Sequence, residues 1–389
     1  MLELLDAFEG GGRKALVAEV ERHARAAVDA RGKGHVGEVA RVEAAVAADP
    51  ARAITFDADG FATVTVPGAR HGGGRFEAAT IGTLRARAAD LRARAGGERP
   101  AAGRRLWILD GMSPATDIGA LQASAAPGSL FQAASQFNCL ESPGAYVVPV
   151  AHYLHDPTQG PRAAISAFPG TMVRHYAAPA ADGTRFVQRT DARQLDLLAG
   201  VCDATVAKVK NGYLRAPDVR DPAAFARALE DRFDAIAVGV HDRVDVVLGA
   251  DWGGRVDGRR TIAQVYTSTM AGGGYGGLGD GDAGDTILRQ LQRGAYLGTL
   301  LAAAALGCRR VCLTLIGGGV FANPMRTIWD AILWASDRIE PFLHRDLSIV
   351  VNGRNLRHEL PAGELAAAAF ERGGALLRFD RAGAAFVDA

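Results

Sequence analysis

The chain has 389 residues, 48% of them hydrophobic, enough for one elaborated domain or two with a proper core. Lys and Arg number 44 against 43 Asp and Glu, so the formal charge of +1 creates no global field to draw nucleic acid or an anionic membrane. Cys139, Cys202, Cys308 and Cys312 show no CxxC pairing and read as buried thiols of a reducing compartment. With no secretory leader pattern and no apolar run of about 18 residues, a cytoplasmic protein is expected.

In chain order, residues 1 to about 50 carry helical Ala/Val/Leu spacing with a break at Arg31-Gly32-Lys33-Gly34. The period then changes, and Ile54–Phe56, Asp57-Ala58-Asp59-Gly60 and Phe61–Val66 predict a strand, turn and strand. A helix is expected over 83–95, and the Arg-rich run from Arg85 to Arg105 reads as its solvated face followed by a linker. A boundary falls at Gly96 to Gly103, making 1–103 a small α+β region and 104–389 the main domain. From Leu106 strands alternate with helices, the strands being placed at 106–109, 129–133, 146–150, 235–240, 244–248, 262–267 and 311–316. This alternation argues an α/β sandwich. A largely helical insertion is expected at about 188–234, and a helix from Asp285 to about Ala305 should stop at Gly307.

The most informative stretch joins the strand ending at Ile316 to Gly317-Gly318-Gly319-Val320-Phe321-Ala322-Asn323-Pro324 and then to a helix whose Met325, Ile328, Trp329, Ile332 and Leu333 share a face. Asn323 is the expected N-cap and Pro324 the first helical residue. Glycines let backbone N–H groups approach an anion, and a helix start favours phosphate there. The alternative is a glycine turn that only makes a tight connection. No Lys-Ser/Thr follows, so this is not a Walker loop. Gly272-Gly273-Gly274-Tyr275-Gly276-Gly277 is expected to form a mobile rim or lid, with Tyr275 available to stack on a base.

Three earlier motifs precede this loop. They are Thr116-Asp117-Ile118-Gly119, then Phe131-Gln132-Ala133-Ala134-Ser135-Gln136-Phe137-Asn138, then Gln159-Gly160-Pro161-Arg162-Ala163-Ala164-Ile165. The order resembles the macrodomain family of ADP-ribose-binding modules. That family's pattern runs from an Asp-Ile pair through an Asn-Ala-Ala-Asn strand end and a Gly-rich loop opening an Ala-Ile helix to a Gly-Val/Ile-Phe/Tyr-Gly-x-Pro loop. The resemblance implies a three-layer α/β/α mixed sheet with insertions. It also implies ADP-ribose or a related nucleotide diphosphate as ligand, and no cofactor.

Carried over residue by residue, Asp117 with Ile118 would meet adenine. Gly160 and the helix at Ala163 would form one phosphate loop and Gly317 to Val320 the other, while Phe321 would pack on the ribose. The implied ligand-contacting set is Asp117, Ile118, Gln132, Ser135, Gly160, Arg162, Gly317, Gly318, Gly319, Val320, Phe321 and Asn323. Gln132 and Ser135 stand at the family's two asparagines, with Asn138 three residues later, and Arg162 replaces an acidic residue of some hydrolases. The tandem glutamates of the poly-ADP-ribose glycohydrolase branch are absent from Thr171 to Tyr176. Two classes of function follow. One is a hydrolase using Asn138 to hold the distal ribose and Glu141 or Asp156 to position water. The other is a module that captures ADP-ribose or an NAD-derived signal without turnover. A third reading is a different nucleotide-diphosphate enzyme with convergent loops. His152 and His155 have helical metal-ligand spacing but no partner residue, and no metal is expected.

Overall fold

The computed structural model describes residues 1–6, 12–29, 36–97, 100, 103–111, 113, 116–201, 203–249, 254–256, 258–278, 281–354, 356–380 and 383–388. The strands are β1 (Ile54–Phe56), β2 (Ala62–Val66), β3 (Ala69–Thr80), β4 (Arg104–Asp110), β5 (Ser129–Ala134), β6 (Ala178–Pro179), β7 (Arg185–Phe186), β8 (Ala237–Asp245), β9 (Thr261–Thr267), β10 (Arg310–Leu313), β11 (Leu347–Asn352), β12 (Leu376–Asp380) and β13 (Gly383–Val387). Eleven of them form one sheet in the order β1-β2-β3-β8-β9-β5-β10-β11-β4-β12-β13. From β9 to β12 every pairing is parallel, and antiparallel strands flank that centre on both sides.

Side-chain alternation puts helices on both faces. Gln132 of β5 donates to Ala295 and Thr299 of the Asp282–Ala305 helix, whereas Gln264 of β9, paired with the preceding residue Phe131, donates to Ala163 of the Gln159–Ser166 helix. Successive residues point to opposite faces, so the two helices sandwich the sheet and the expected three-layer α/β/α arrangement is present. Covered on both sides, β5 and β11 are buried along almost their whole length. The long helix closes with a left-handed Gly307, φ +66°; Gly307 N–H donates to Ala304 and Cys308 N–H to Ala303.

Several sequence expectations change. The region 1–103 supplies three strands to the common sheet, because β3 pairs with β8 over six residues. Its three consecutive glycines, Gly72–Gly74, hid β3 from pattern reading. The strands expected at 235–240 and 244–248 are one strand, β8, with an irregular register between His241 and Val244. No strand occupies 146–150; a 3₁₀ turn spans Val150–His155. The 188–234 insertion is mostly turns held by local backbone hydrogen bonds, with one α-helix, Pro222–Asp231. The predicted break at 31–34, part of the 96–103 linker and Cys202 lie outside the described residues. Cys139, Cys308 and Cys312 are buried free thiols. No helix among the described residues is long and apolar enough to cross a membrane.

Candidate functional site

In open α/β sheets, ligands bind beyond the carboxyl ends of the parallel strands. Here the segments after β5, β9 and β10 meet at that end. After β10, Asn323 N–H donates to Gly317 O (3.0 Å), Ala322 N–H to Gly319 O (2.9 Å) and Gly318 N–H to Leu315 O (3.0 Å), which fixes a compact loop. Gly317 needs its left-handed φ of +76° for this turn. The amides of Gly319, Val320 and Phe321 donate to no other group among the described residues. Val320 is 63% exposed.

The helix Met325–Ile339 follows, capped by Pro324 without a side-chain bond, so its first-turn amides are also open. Pro324 is thus the cap and Met325 the first helical residue, one position later than expected. Asn323 turns away and donates to Met270 O instead of capping. Among the glycines only Gly319 is open, because a Cβ at Gly318 would lie 3.0 Å from Met325 Cε and 3.2 Å from Ile328 Cδ1.

The glycine run after β9 packs directly on this loop: a Cβ at Gly272 would fall 2.7 Å from Phe321 O. Tyr275, at the end of a short 3₁₀ turn, meets Phe321 edge-on at 5.6 Å, and Tyr213 from the insertion meets Phe321 at 5.8 Å and Tyr275 at 5.4 Å. Tyr213 donates to Ser142 O and Tyr275 to Pro143 O, so this aromatic triad links the β10 loop to the segment after β5. Sequence reasoning missed Tyr213. Asn211-Gly212 before it was a legible signal, since both residues take positive φ and close a two-residue hairpin between Lys210 and Tyr213.

After β5 the chain doubles back. Gln136 exchanges two side-chain bonds with Ser142, and the buried Arg174 guanidinium holds Cys139 O, Thr171 Oγ1 and His241 Nδ1 beneath the Tyr266-lined wall. This turn returns Glu141, 5% exposed, to the end of β5. Its N–H donates to Tyr153 Oη, which is hydrogen-bonded in turn to a neutral His175 held down to about 3 by burial and by Arg174. The Glu141 carboxyl itself has Oε1 without a partner, and Oε2 lies 2.8 Å from where a Cβ on Gly160 would stand. Burial pushes this carboxyl well above the usual range, Arg174 opposes the shift and Asp156 adds to it. A carboxyl whose neutral form is favoured by burial therefore sits near a second, half-buried one. Asp156 accepts from Thr158 N–H at the start of the Gln159–Ser166 helix.

The other expected ligand residues are engaged by the chain itself. Asp117 accepts from Gly119 and Ala120 N–H and pairs with Arg162 at 2.6 Å, and Ile118 N–H donates to Gln159 Oε1. Gly160 is buried against Ala134 O and Glu141, so it serves close packing and leaves no open cradle. Gln132 faces the Asp282–Ala305 helix, away from the loops. Ser135 bonds Gln136 O and Thr267 O. Asn138 is fully buried, accepting from Leu140 N–H and donating to Gln194. These two bonds make it a brace of the turn. The exposed His152 and His155 stack edge-on at 5.4 Å, and no group of three metal-ligating side chains occurs among the described residues.

No family model matches the sequence, and no curated protein matches it. Among solved structures the chain is similar to the poly(ADP-ribose) glycohydrolase of Thermomonospora curvata, at 13% identity and TM-score 0.39 over 86% of this chain and 99% of that one. The same enzyme bound to the inhibitor ADP-HPD gives 13% identity and TM-score 0.36 over 86% and 99%. The poly(ADP-ribose) glycohydrolase of Deinococcus radiodurans in complex with ADP-ribose gives 12% and 0.37 over 74% and 94%. Scores this low carry no residue roles across, and the chain's own loops decide what the site can do.

Proposed function

We propose that this protein binds ADP-ribose, or a nucleotide diphosphate of the same plan, beyond the carboxyl ends of β5, β9 and β10, and hydrolyses an ADP-ribosyl linkage there. The observation that carries the reading is an open loop of unpaired amides at a helix start, joined through Tyr213 and Tyr275 to a buried carboxyl without a partner. The diphosphate rests on the Gly319–Phe321 amides and the first turn of the following helix, and Phe321 packs on a ribose. Because Glu141 is held protonated, it adds no charge to repel the phosphates and has a proton to give. It donates that proton to the departing oxygen as the glycosidic bond breaks, while Asp156 takes one from the attacking water.

Titration calorimetry with ADP-ribose, ADP, AMP and NAD tests the binding step. ADP-ribose is expected to bind more tightly than AMP, which leaves the loop half empty; equal affinities would overturn the diphosphate reading. Release of ADP-ribose from Asp/Glu-, Arg- and Ser-linked substrates tests the chemistry. A second reading, capture without turnover, is favoured by one observation, the commitment of Asn138 to its own turn. Tight ADP-ribose binding with no release from any of the linkages would establish it.

A further inference from the structure

At the opposite end of the sheet, where β8 ends at Asp245 beside the start of β9 at Thr261, lies a cavity of about 590 Å³. Among the described residues its lining includes Arg70, Arg255, Arg259 and Arg260 and one carboxylate, Asp245. Among the described residues of a chain with a formal charge of +1, four arginines around one cavity are a local surplus of positive charge.

The surplus is only partly neutralised. Asp245 accepts from Gly72 N–H and pairs with Arg259 at 3.1 Å, and Arg255 pairs with Glu38 at 2.8 Å. Arg70 is exposed and makes no ion pair among the described residues, and Arg260 gives one nitrogen to Ala125 O while its buried Nε has no partner. His71, 8% exposed, also lines the cavity, and its Nε2 has no hydrogen bond, the nearest carboxylate, Glu38, being 3.6 Å away. Buried polar groups are normally paired, so a guanidinium nitrogen without a partner beside a basic cavity marks a place for an acceptor from outside.

We propose that this cavity is a second anion site that takes a small phosphorylated molecule carrying at least two negative charges. Guanidinium forks match phosphate oxygens two at a time, and the volume falls within the range of small-ligand pockets. This recognition is unlike that of the β10 loop, which offers backbone amides and no arginine fork, so the two sites can be silenced separately.

The probe is inorganic pyrophosphate, titrated calorimetrically into the whole chain. Gly319→Glu blocks the loop and faces open space, and Arg70→Gln with Arg259→Gln removes two solvent-exposed side chains of the cavity; thermal melts check that both variants fold. The loop-blocked variant should still bind one pyrophosphate, and adding the two arginine changes should weaken that binding at least tenfold. Unchanged affinity on losing the arginines, or no pyrophosphate bound by folded Gly319→Glu protein, overturns the proposal. Failure of the loop reading looks different: the arginine changes alone would then remove all binding and Gly319→Glu none.

Discussion

Gly160 and Gly319 both stand near carboxyl ends of parallel strands, yet a Cβ at Gly160 would strike Ala134 O and come within 2.8 Å of Glu141 Oε2, whereas one at Gly319 would meet nothing within 4 Å. The first glycine is spent on letting a helix start close down over a carboxyl, the second on keeping backbone amides bare. A glycine at or near a helix start thus signals close approach, and what approaches is a protein carboxyl in one case and, on the proposed reading, a phosphate in the other.

The largest expected effect lies on the closed side. Glu141→Gln keeps the shape and neutrality of the protonated acid but has no proton to transfer, so ADP-ribosyl release should fall by about 100-fold or more, with ADP-ribose affinity nearly unchanged by calorimetry. Loss of affinity in step with rate would place Glu141 in binding and blur the contrast. Next, Gly160→Ala should cost about 1–3 kcal/mol of stability through overpacking, read by urea denaturation; a neutral result would mean the closed turn is as roomy as the open one.

The pH dependence follows from the same carboxyl. Folded protein keeps a proton on Glu141 that the unfolded chain loses above about pH 4.3. Folding therefore binds a proton, and stability falls as pH rises from that value towards the raised one, by up to about 1.4 kcal/mol per pH unit. Glu141→Gln should remove this share of the slope in paired melts. On the open side the effects are smaller. Tyr275→Ala gives up two ring contacts, about 0.5–1.5 kcal/mol, and should speed ADP-ribose dissociation in stopped-flow traces. Gly319→Ala should shift stability by no more than about 0.5 kcal/mol while weakening ADP-ribose. A Gly319→Ala chain as destabilised as Gly160→Ala would abolish the distinction.

Periodicity and glycine placement made part of the parallel centre legible: β4, β5, β9, β10, the Asp282–Ala305 helix and the Gly317–Phe321 turn were readable because local pattern and tertiary role agree there, whereas β11 and β12 were not placed. Legibility failed where partners are distant. Whether Gly160 opens or packs depends on Glu141, nineteen positions earlier, and Asn138 looked available only until Gln194 was seen to hold it. The largely turn-built insertion misled because its apolar residues serve loop packing without a period. The arginine cavity was invisible for the same reason, being gathered from β3, β8 and the segment after β8.

The continuity of the sheet also sets the order in which the chain can become stable during synthesis. β3 pairs at once with β2 but gains its second neighbour only when β8 has been made, and β4 sits between β11 and β12, the latter starting at Leu376. Such long-range pairings pay their loop-closure entropy late and fold slowly. One edge of β3 and both edges of β4 therefore wait unpaired while more than a hundred residues emerge. A chain interrupted before residue 376 would expose the flank of β4, making truncated products prone to edge-on association.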